Sequence, residues 1–164
     1  MAREIETKCI HLEEEENSIN HYGAISYPIY QSATYAHPGV GQSTGYDYSR
    51  LQNPTREHLE KTVASLENGI DALAFSSGMA AITLMMELFK PGDHLIVDAD
   101  LYGGSIRLFN HVSEKNGIEF SSVDCHKENV AAYIRENTKA VYIETPTNPC
   151  LLYTSPSPRD GLLS

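Results

Sequence analysis

The distribution of apolar residues divides the chain near residue 55. Residues 1–55 show little helix or strand periodicity and hold many Tyr, Ser, Pro and Gly residues. A segment of this length without such periodicity is either disordered or an arm that packs against something else. Its aromatic content argues against disorder, so we predict an extended N-terminal arm over residues 1–55.

From Thr55 onward the apolar positions follow a regular rhythm. Thr55 can cap a helix that ends near Gly69, with Leu59, Val63 and Leu66 on one face. Strands then alternate with helices, which predicts βαβ units, a mostly parallel sheet and an α/β fold. The predicted strands are 71–75, 94–98, 118–123 and 140–144, and the predicted helices after the first are 79–89, 105–115 and 128–135.

After Pro149 the alternation stops. Residues 150–160 read Cys-Leu-Leu-Tyr-Thr-Ser-Pro-Ser-Pro-Arg-Asp, which is the translation, in order, of a DNA sequence resembling a transposase-type sequencing adapter. The alternative is a tail rich in Pro and Ser. An uninterrupted match of eleven residues favours the adapter, so residues 150–164 are expected to be a non-native tail.

Composition and charge limit which kinds of partner and which cellular compartment are expected for this protein. The formal net charge is −10 and no long basic run occurs, so nucleic acid and anionic membranes are not expected partners. No apolar stretch reaches the length of a membrane span, and the N-terminus has no signal-peptide core. The three cysteines have no CxxC spacing and fit reduced thiols, so we expect a cytoplasmic protein without a metal site.

Four short segments carry candidate chemistry. Residues 76–81, Ser-Ser-Gly-Met-Ala-Ala, lie between a predicted strand and a predicted helix, where backbone N–H groups can approach a phosphate. Turn geometry alone explains such residues about as well. In residues 46–55, Tyr48 and Arg50 can present a phenol and a guanidinium to one phosphate, although a solvated arm residue beside a core tyrosine is the simpler alternative.

The other two segments follow predicted strands, at the edge where open α/β sheets bind ligands. Tyr102, before two glycines, can stack its ring on a flat cofactor or simply pack at a turn. Asn148 in Thr-Asn-Pro can donate a hydrogen bond to a ligand oxygen or belong to a routine Asn-Pro turn.

In this order and at these intervals, the four segments resemble the Cys/Met-metabolism enzymes that depend on pyridoxal phosphate (PLP). That family includes cystathionine γ-synthase, cystathionine γ-lyase, methionine γ-lyase and O-acylhomoserine sulfhydrylase. The resemblance covers residues 1–149 and implies the first part, residues 56–149, of the large PLP-binding domain of a fold-type I transferase. It also implies a homo-oligomer, a homotetramer, acting on a small amino acid.

The resemblance also implies roles for single residues. Gly78 and Met79 would contact the PLP phosphate through their backbone, while Tyr48 and Arg50 would reach that phosphate in a neighbouring subunit. Tyr102 would stack on the pyridine ring and assist proton transfer as the catalytic residue. Asn148 would lie near the 3-hydroxyl group of the ring.

The family's Schiff-base lysine is missing from this sequence. In the family it follows the Thr-Asn-Pro segment within a Ser-x-Thr-Lys pattern, and no lysine here has that context. We therefore expect a truncated, inactive piece of an enzyme for γ-elimination or γ-replacement, closer to cystathionine γ-synthase or γ-lyase than to methionine γ-lyase or O-acylhomoserine sulfhydrylase. Two rivals of another class are a small module that binds a phosphate-bearing ligand and a non-functional fragment.

Overall fold

A computed structural model describes residues 4–10, 24, 26–148 and 150–151. The chain forms two compact units, residues 1–74 and 75–164. The first unit holds α1 (Ile5–Lys8) and α2 (Pro54–Glu67). The second holds α3 (Gly78–Met86), β1 (His94–Asp98), α4 (Gly103–Leu108), β2 (Glu119–Val123) and β3 (Thr138–Tyr142), together with a π-helical turn Phe109–Ser113 and a 3₁₀ helix Val130–Tyr133. The domain ranges derived from the sequence stay predictions.

Helix α2 begins at Pro54, two residues earlier than a cap at Thr55 would place it. Its N-cap is Asn53, whose side-chain oxygen accepts a hydrogen bond from the backbone N–H of Thr55 at 2.9 Å. The predicted cap at Thr55 is therefore wrong, because the Thr55 hydroxyl accepts the N–H of Tyr30 instead. Pro54 suits the first helical position, where no intrahelical N–H partner is required. The C-cap is Asn68, in the left-handed conformation at φ 54°.

The second unit is built on a three-stranded parallel sheet with the strand order β2-β1-β3. The central strand β1, His-Leu-Ile-Val-Asp, is buried along its whole length, as the apolar run predicts for a strand covered on both faces. Strand β3 alternates between half-buried and exposed positions, which is typical of a strand with one covered face. The predicted α/β fold with a mostly parallel sheet and flanking helices is confirmed.

One apolar cluster fixes the helices to the sheet. Its centre is Phe109, which is 2% exposed, stacks on Phe120 at a centroid distance of 5.1 Å and meets Tyr142 edge-on at 5.3 Å. Side chains from α3 pack against the same cluster. The buried members are Met86, Leu95, Val97, Leu101, Phe109 and Ile118. Both helices that flank the candidate loops are therefore held by a single core.

Two predicted elements are missing or much shorter in the structure, and the ends of most of the others differ by one to three residues. Residues 71–75 form no strand, because side-chain oxygens of Asp71 and Glu60 accept the N–H groups of Ala72 and Ala74. The helix predicted over 128–135 is only the short 3₁₀ helix Val130–Tyr133. The side chain of Asn129 caps it by accepting from the N–H of Ala131, and the extended backbone at residue 134 ends it.

Within the described residues, no helix is both long and apolar enough to cross a membrane.

Candidate functional site

The carboxyl edge of the parallel sheet brings the segments after β1 and β3 together. The backbone N–H of Tyr102, in the loop after β1, donates to a carboxylate oxygen of Glu144 at 2.9 Å. Leu101 anchors the same loop in the apolar core at 4% exposure. The ring of Tyr102 itself is 43% exposed. The predicted catalytic residue thus stands at the ligand-binding edge of the sheet, on a backbone that is fixed from two sides.

Gly104 allows the ring of Tyr102 to lie beside α3. A methyl group built on Gly104 would overlap the ring carbon Cε1 of Tyr102 and lie 2.9 Å from Sδ of Met79. Any side chain at position 104 would therefore displace the ring, the thioether or the helix backbone. The structure thus brings together Met79 and Tyr102, two residues that the sequence predicts to contact the same cofactor.

The N-terminus of α3 presents free backbone donors. The Ser77 hydroxyl accepts the N–H of Ala80 at 3.2 Å, and the Ser77 carbonyl accepts the N–H of Ala81. Within the described part of the chain, the N–H groups of Gly78 and Met79 donate to no acceptor. Apart from the adjacent residues and the backbone of α3 itself, no described residue has an atom within 4 Å of the position that a Gly78 side chain would occupy. Two unpaired donors at a helix N-terminus, with open space before them, fit a phosphate group.

Asn148 lies six residues beyond the last residue of β3 and is exposed. Its neighbour Thr147 is completely buried and its carbonyl accepts the N–H of Leu151 at 2.8 Å. This buried neighbour fixes the backbone beside Asn148. The predicted contact between the Asn148 side chain and a ring hydroxyl stays a prediction.

Tyr48 and Arg50 lie in the first unit and contact each other. The Arg50 guanidinium sits 4.9 Å from the centre of the Tyr48 ring, in a cation–π arrangement. Arg50 is exposed, and among the described residues its guanidinium forms no ion pair or hydrogen bond. By contrast, Arg56 is engaged by Glu60 and by the carbonyl of Leu51. Arg50 is thus available to an anion, whereas Arg56 is not.

Several polar groups near the sheet edge have shifted or unmet interactions. Burial raises the pKa of the Cys125 thiol, and the nearby carboxylates of Asp98, Asp124 and Glu128 raise it further. This cysteine is therefore a poor nucleophile at neutral pH. One carboxylate oxygen each of Asp98 and Asp100 is buried without a hydrogen-bond partner among the described residues. Like the buried hydroxyl of Ser105, which also has no hydrogen-bond partner among the described residues, these oxygens can still accept a hydrogen bond from a further donor.

Three residues that shape the site were not among the predicted site residues. In the sequence, Gly104 was considered only as part of a turn. A pair of glycines after an aromatic residue also indicates that a neighbouring side chain packs closely against the backbone. Glu144 and Asn53 act by accepting or donating hydrogen bonds to backbone groups. The Asn-Pro-Thr sequence does carry a signal for Asn53, since Asn before Pro is a typical helix N-cap pattern.

Comparison with known proteins agrees with this geometry. A bacterial cystathionine γ-lyase from Bacillus subtilis is 55% identical over 133 residues, covering 80% of this chain and 35% of that protein. A cystathionine γ-synthase/O-acetylhomoserine (thiol)-lyase from the same organism is 49% identical over 156 residues, covering 92% and 40%. The crystal structure of metB from Corynebacterium glutamicum superposes with a TM-score of 0.84 at 42% identity, covering 93% and 40%.

The match to a protein family covers most of the sequence. The family described as Cys/Met metabolism PLP-dependent enzyme matches residues 6–154. The chain spans only about 35–40% of the length of the two Bacillus relatives. The family's cofactor is PLP, and its members are enzymes that bind amino-acid substrates. The chain belongs to the Cys/Met metabolism family of PLP-dependent enzymes.

Proposed function

We propose that the full-length protein containing this chain is a PLP-dependent lyase or transferase of the cystathionine γ-synthase or γ-lyase type. It would catalyse γ-elimination or γ-replacement on homoserine- or methionine-type amino acids. The relatives support this proposal by the activities in their names. O-Acylhomoserine sulfhydrylase activity is a second candidate, because one of those relatives is also named an O-acetylhomoserine (thiol)-lyase.

The observation that carries the proposal is the arrangement around Gly104. An aromatic ring lies beside the N-terminal turn of a helix whose first two N–H groups are unpaired, at the carboxyl edge of a parallel sheet. A flat cofactor with a phosphate group needs a surface for its ring and donors for its phosphate, close enough together for one molecule to contact both. The exposed face of Tyr102 suits the ring, and the donors of Gly78 and Met79 suit the phosphate.

Each of these residues has a defined task in the proposed site. The N–H groups of Gly78 and Met79 would bind phosphate oxygens, and the helix dipole of α3 would favour their negative charge. When bound, PLP supplies an electron sink for the removal of protons from the amino-acid substrate. Tyr102 would orient the ring by stacking and move a proton through its hydroxyl group. Asn148 would donate a hydrogen bond near the 3-hydroxyl group.

The arm residues extend the proposal to assembly. The Arg50 guanidinium and the Tyr48 hydroxyl would bind the phosphate held in a neighbouring subunit, so the active protein would be a homo-oligomer. We propose that the lysine which holds the cofactor lies in the part of the full-length protein that this chain does not span. The expected cytoplasmic location is part of the same proposal.

The roles of Tyr102 are tested by substitution in the full-length protein. Tyr102→Phe keeps the aromatic face, so PLP should stay bound with a near-normal visible spectrum. It removes the hydroxyl, so turnover should fall about a hundredfold or more, as expected for the loss of a general acid/base. Tyr102→Ala should lose both PLP retention and turnover. The measurements are turnover, PLP occupancy and melting temperature.

Tyr133→Phe is the matched control, because Tyr133 is the last residue of the 3₁₀ helix, its hydroxyl donates to the Glu128 carboxylate, and no proposed contact involves it. Its turnover should remain at the level of the unaltered protein. Unaltered turnover in Tyr102→Phe as well would refute the catalytic role and leave Tyr102 as a packing residue.

The assembly proposal is tested by mixing two variants, each impaired in a different part of the site. One carries Arg50→Ala and the other lacks the cofactor lysine. If arm and lysine come from different subunits, mixed oligomers contain some complete sites and should recover activity. Confirmed mixing without recovery would show that the arm serves its own subunit.

A further inference from the structure

We propose that Asn53 is a positioning residue, which holds Tyr48 and Arg50 in the geometry that binds phosphate. The proposal rests on the phosphate-binding role proposed above for these two arm residues. Among the described residues, the side chain of Asn53 forms hydrogen bonds with Tyr30, Tyr35, Ser49 and Thr55, so it would act on Tyr48 and Arg50 through Ser49, the residue between them. The evidence is a set of hydrogen bonds made by one side chain at the start of α2.

The Asn53 amide nitrogen is the hub of this set. It lies 3.1 Å from the carbonyl oxygen of Tyr30, 2.8 Å from the hydroxyl oxygen of Ser49 and 3.2 Å from the hydroxyl of Tyr35. On the other side of the amide, the oxygen accepts the N–H of Thr55 and so caps α2. One side chain therefore ties two stretches of the arm to the first turn of a 14-residue helix.

The site at Asn53 requires a donor with two hydrogens. The Tyr30 carbonyl can only accept. The Ser49 hydroxyl donates its single hydrogen to the carbonyl of Ser32 at 2.5 Å, so towards Asn53 it must act as an acceptor. The two hydrogens of the Asn53 amide match these two acceptors, and the third neighbour, the Tyr35 hydroxyl, lies 3.3 Å from the Ser49 hydroxyl and can donate its own hydrogen there. A carboxylate of the same shape would cap the helix equally well but would leave both acceptors facing oxygen.

Fixing Ser49 fixes the two residues on either side of it. The backbone N–H of Ser49 donates to the carbonyl of Ala33 at 2.9 Å, and Tyr48 pairs with Thr34 in an antiparallel bridge. These bonds hold the backbone, while Asn53 holds the side chain of Ser49 from the helix. The exposed Arg50 guanidinium then rests on the Tyr48 ring, and no described residue accepts a hydrogen bond from it. A long side chain loses less freedom on binding an anion when its base is already ordered.

Asn53→Asp separates capping from positioning. Aspartate keeps the oxygen that accepts the Thr55 N–H, so α2 should remain intact. It lacks the amide hydrogens, so the arm should loosen around Ser49. Asn53→Ala loses both functions and should loosen the arm and the start of α2 together. Asn129→Asp is the matched control, because Asn129 also caps a helix, in the second unit, by accepting the N–H of Ala131.

The first readout is trypsin cleavage in the 164-residue chain. Trypsin cuts after Arg50 in the arm and after Lys61 within α2, so the ratio of the two rates reports local order. Rates are normalised to synthetic peptides that carry the same substitutions. Asn53→Asp should accelerate cleavage after Arg50 roughly tenfold, the factor expected from losing one or two net hydrogen bonds, and leave cleavage after Lys61 unchanged. Asn129→Asp should change neither rate.

Two outcomes of this digestion would overturn the proposal. One is equal cleavage after Arg50 in the unaltered chain and in Asn53→Asp. The other is cleavage after Arg50 in the unaltered chain as fast as in the peptide, which would mean that the arm is not held. Neither outcome depends on whether Arg50 binds phosphate, so failure of the inference is distinguished from failure of the proposed function.

The second readout tests whether the hydrogen bonds of Asn53 affect binding of the phosphate group. In the full-length protein, affinities are measured for PLP and for pyridoxal, which lacks the phosphate group. Asn53→Asp should weaken PLP binding by roughly tenfold and leave pyridoxal binding unchanged, as Arg50→Ala should do to a larger extent. An equal loss for both ligands would overturn the positioning role. An unchanged PLP preference in Arg50→Ala would instead refute the proposed role of the arm.

Discussion

The two units of this chain are ordered by different forces. In the second unit, a buried strand and a cluster around Phe109 fix the helices by apolar packing. In the first unit, only Pro54 and Ala64 are buried within α2, while its residues Leu59 and Val63 are 54% and 42% exposed. The arm is instead held by side-chain hydrogen bonds that meet at Asn53.

This difference matches the kind of donor that each unit offers to a phosphate. The second unit offers backbone N–H groups, whose direction is set once α3 is packed on the core. The first unit offers a guanidinium at the end of a long side chain, whose direction depends on a local polar network. Packing can fix a backbone donor, but a flexible cation needs hydrogen bonds near its base.

The largest effect should come from the apolar core. Phe109→Ala removes a ring that is 2% exposed and contacts Phe120 and Tyr142. We expect the free energy of unfolding to fall by about 3–5 kcal/mol, with hydrogen-exchange protection lost in β1. Phe75→Ala is the control, since Phe75 is 41% exposed and should cost much less. Similar losses for both variants would show that the second unit is not organised around this cluster.

A smaller effect is expected where the candidate loop approaches α3. Gly104→Ala adds a methyl group that overlaps the Tyr102 ring and lies 2.9 Å from Sδ of Met79. Overpacking of this kind typically costs about 1–3 kcal/mol of unfolding free energy. Gly103→Ala is the matched control, because in the described part of the chain its added methyl group would meet no atom within 4 Å beyond its neighbours and its own helix. If the two variants have equal stability and equal PLP affinity in the full-length protein, the close approach at Gly104 has no role.

The smallest effect concerns pH and the opposite edge of the sheet. The completely buried His94 bonds the hydroxyl groups of Thr138 and Ser121 at 2.7 and 2.9 Å. Burial and the nearby Arg135 guanidinium lower the pKa of His94, whereas Glu119 raises it to a lesser extent. The folded state therefore favours the neutral imidazole, and its contribution to stability is present above the unfolded pKa of about 6.5.

That contribution should be lost as the pH falls below about 6.5 through the lowered pKa of His94, by at most about 1.4 kcal/mol per pH unit. His94→Gln should flatten this part of the stability curve. Denaturant unfolding of the unaltered protein and of the variant at several pH values measures both slopes. An equal slope in the two proteins would mean that His94 does not titrate with folding.

The sequence predicted the second unit better than the first. Strand β1 was predicted residue for residue, because a clear apolar run, Leu95 to Val97, stands between a polar residue on each side. The predicted strand over 71–75 failed because side chains of Asp71 and Glu60 satisfy its N–H groups. The spacing of apolar residues along a sequence indicates which positions are buried. A polar network held by hydrogen bonds, such as that of Asn53, leaves no such spacing.

In the candidate site, too, some features could be predicted from the sequence and others could not. The four segments were found from residue types that suit phosphate and ring binding, together with a family resemblance that the comparisons confirm. The approach of Tyr102 to Met79 and the bond from Tyr102 to Glu144 depend on how loops from different strands fold back. Such contacts join residues far apart in the chain, so single-sequence patterns do not contain them.

The most direct test of the account is a crystal structure of the full-length protein with PLP bound. We predict that the N–H groups of Gly78 and Met79 lie at about 2.7–3.2 Å from phosphate oxygens, with Tyr102 stacked on the pyridine ring. The guanidinium of Arg50 from a neighbouring subunit should bind the same phosphate. A phosphate bound away from the N-terminus of α3, or a Tyr102 ring turned away from the cofactor, would contradict the account.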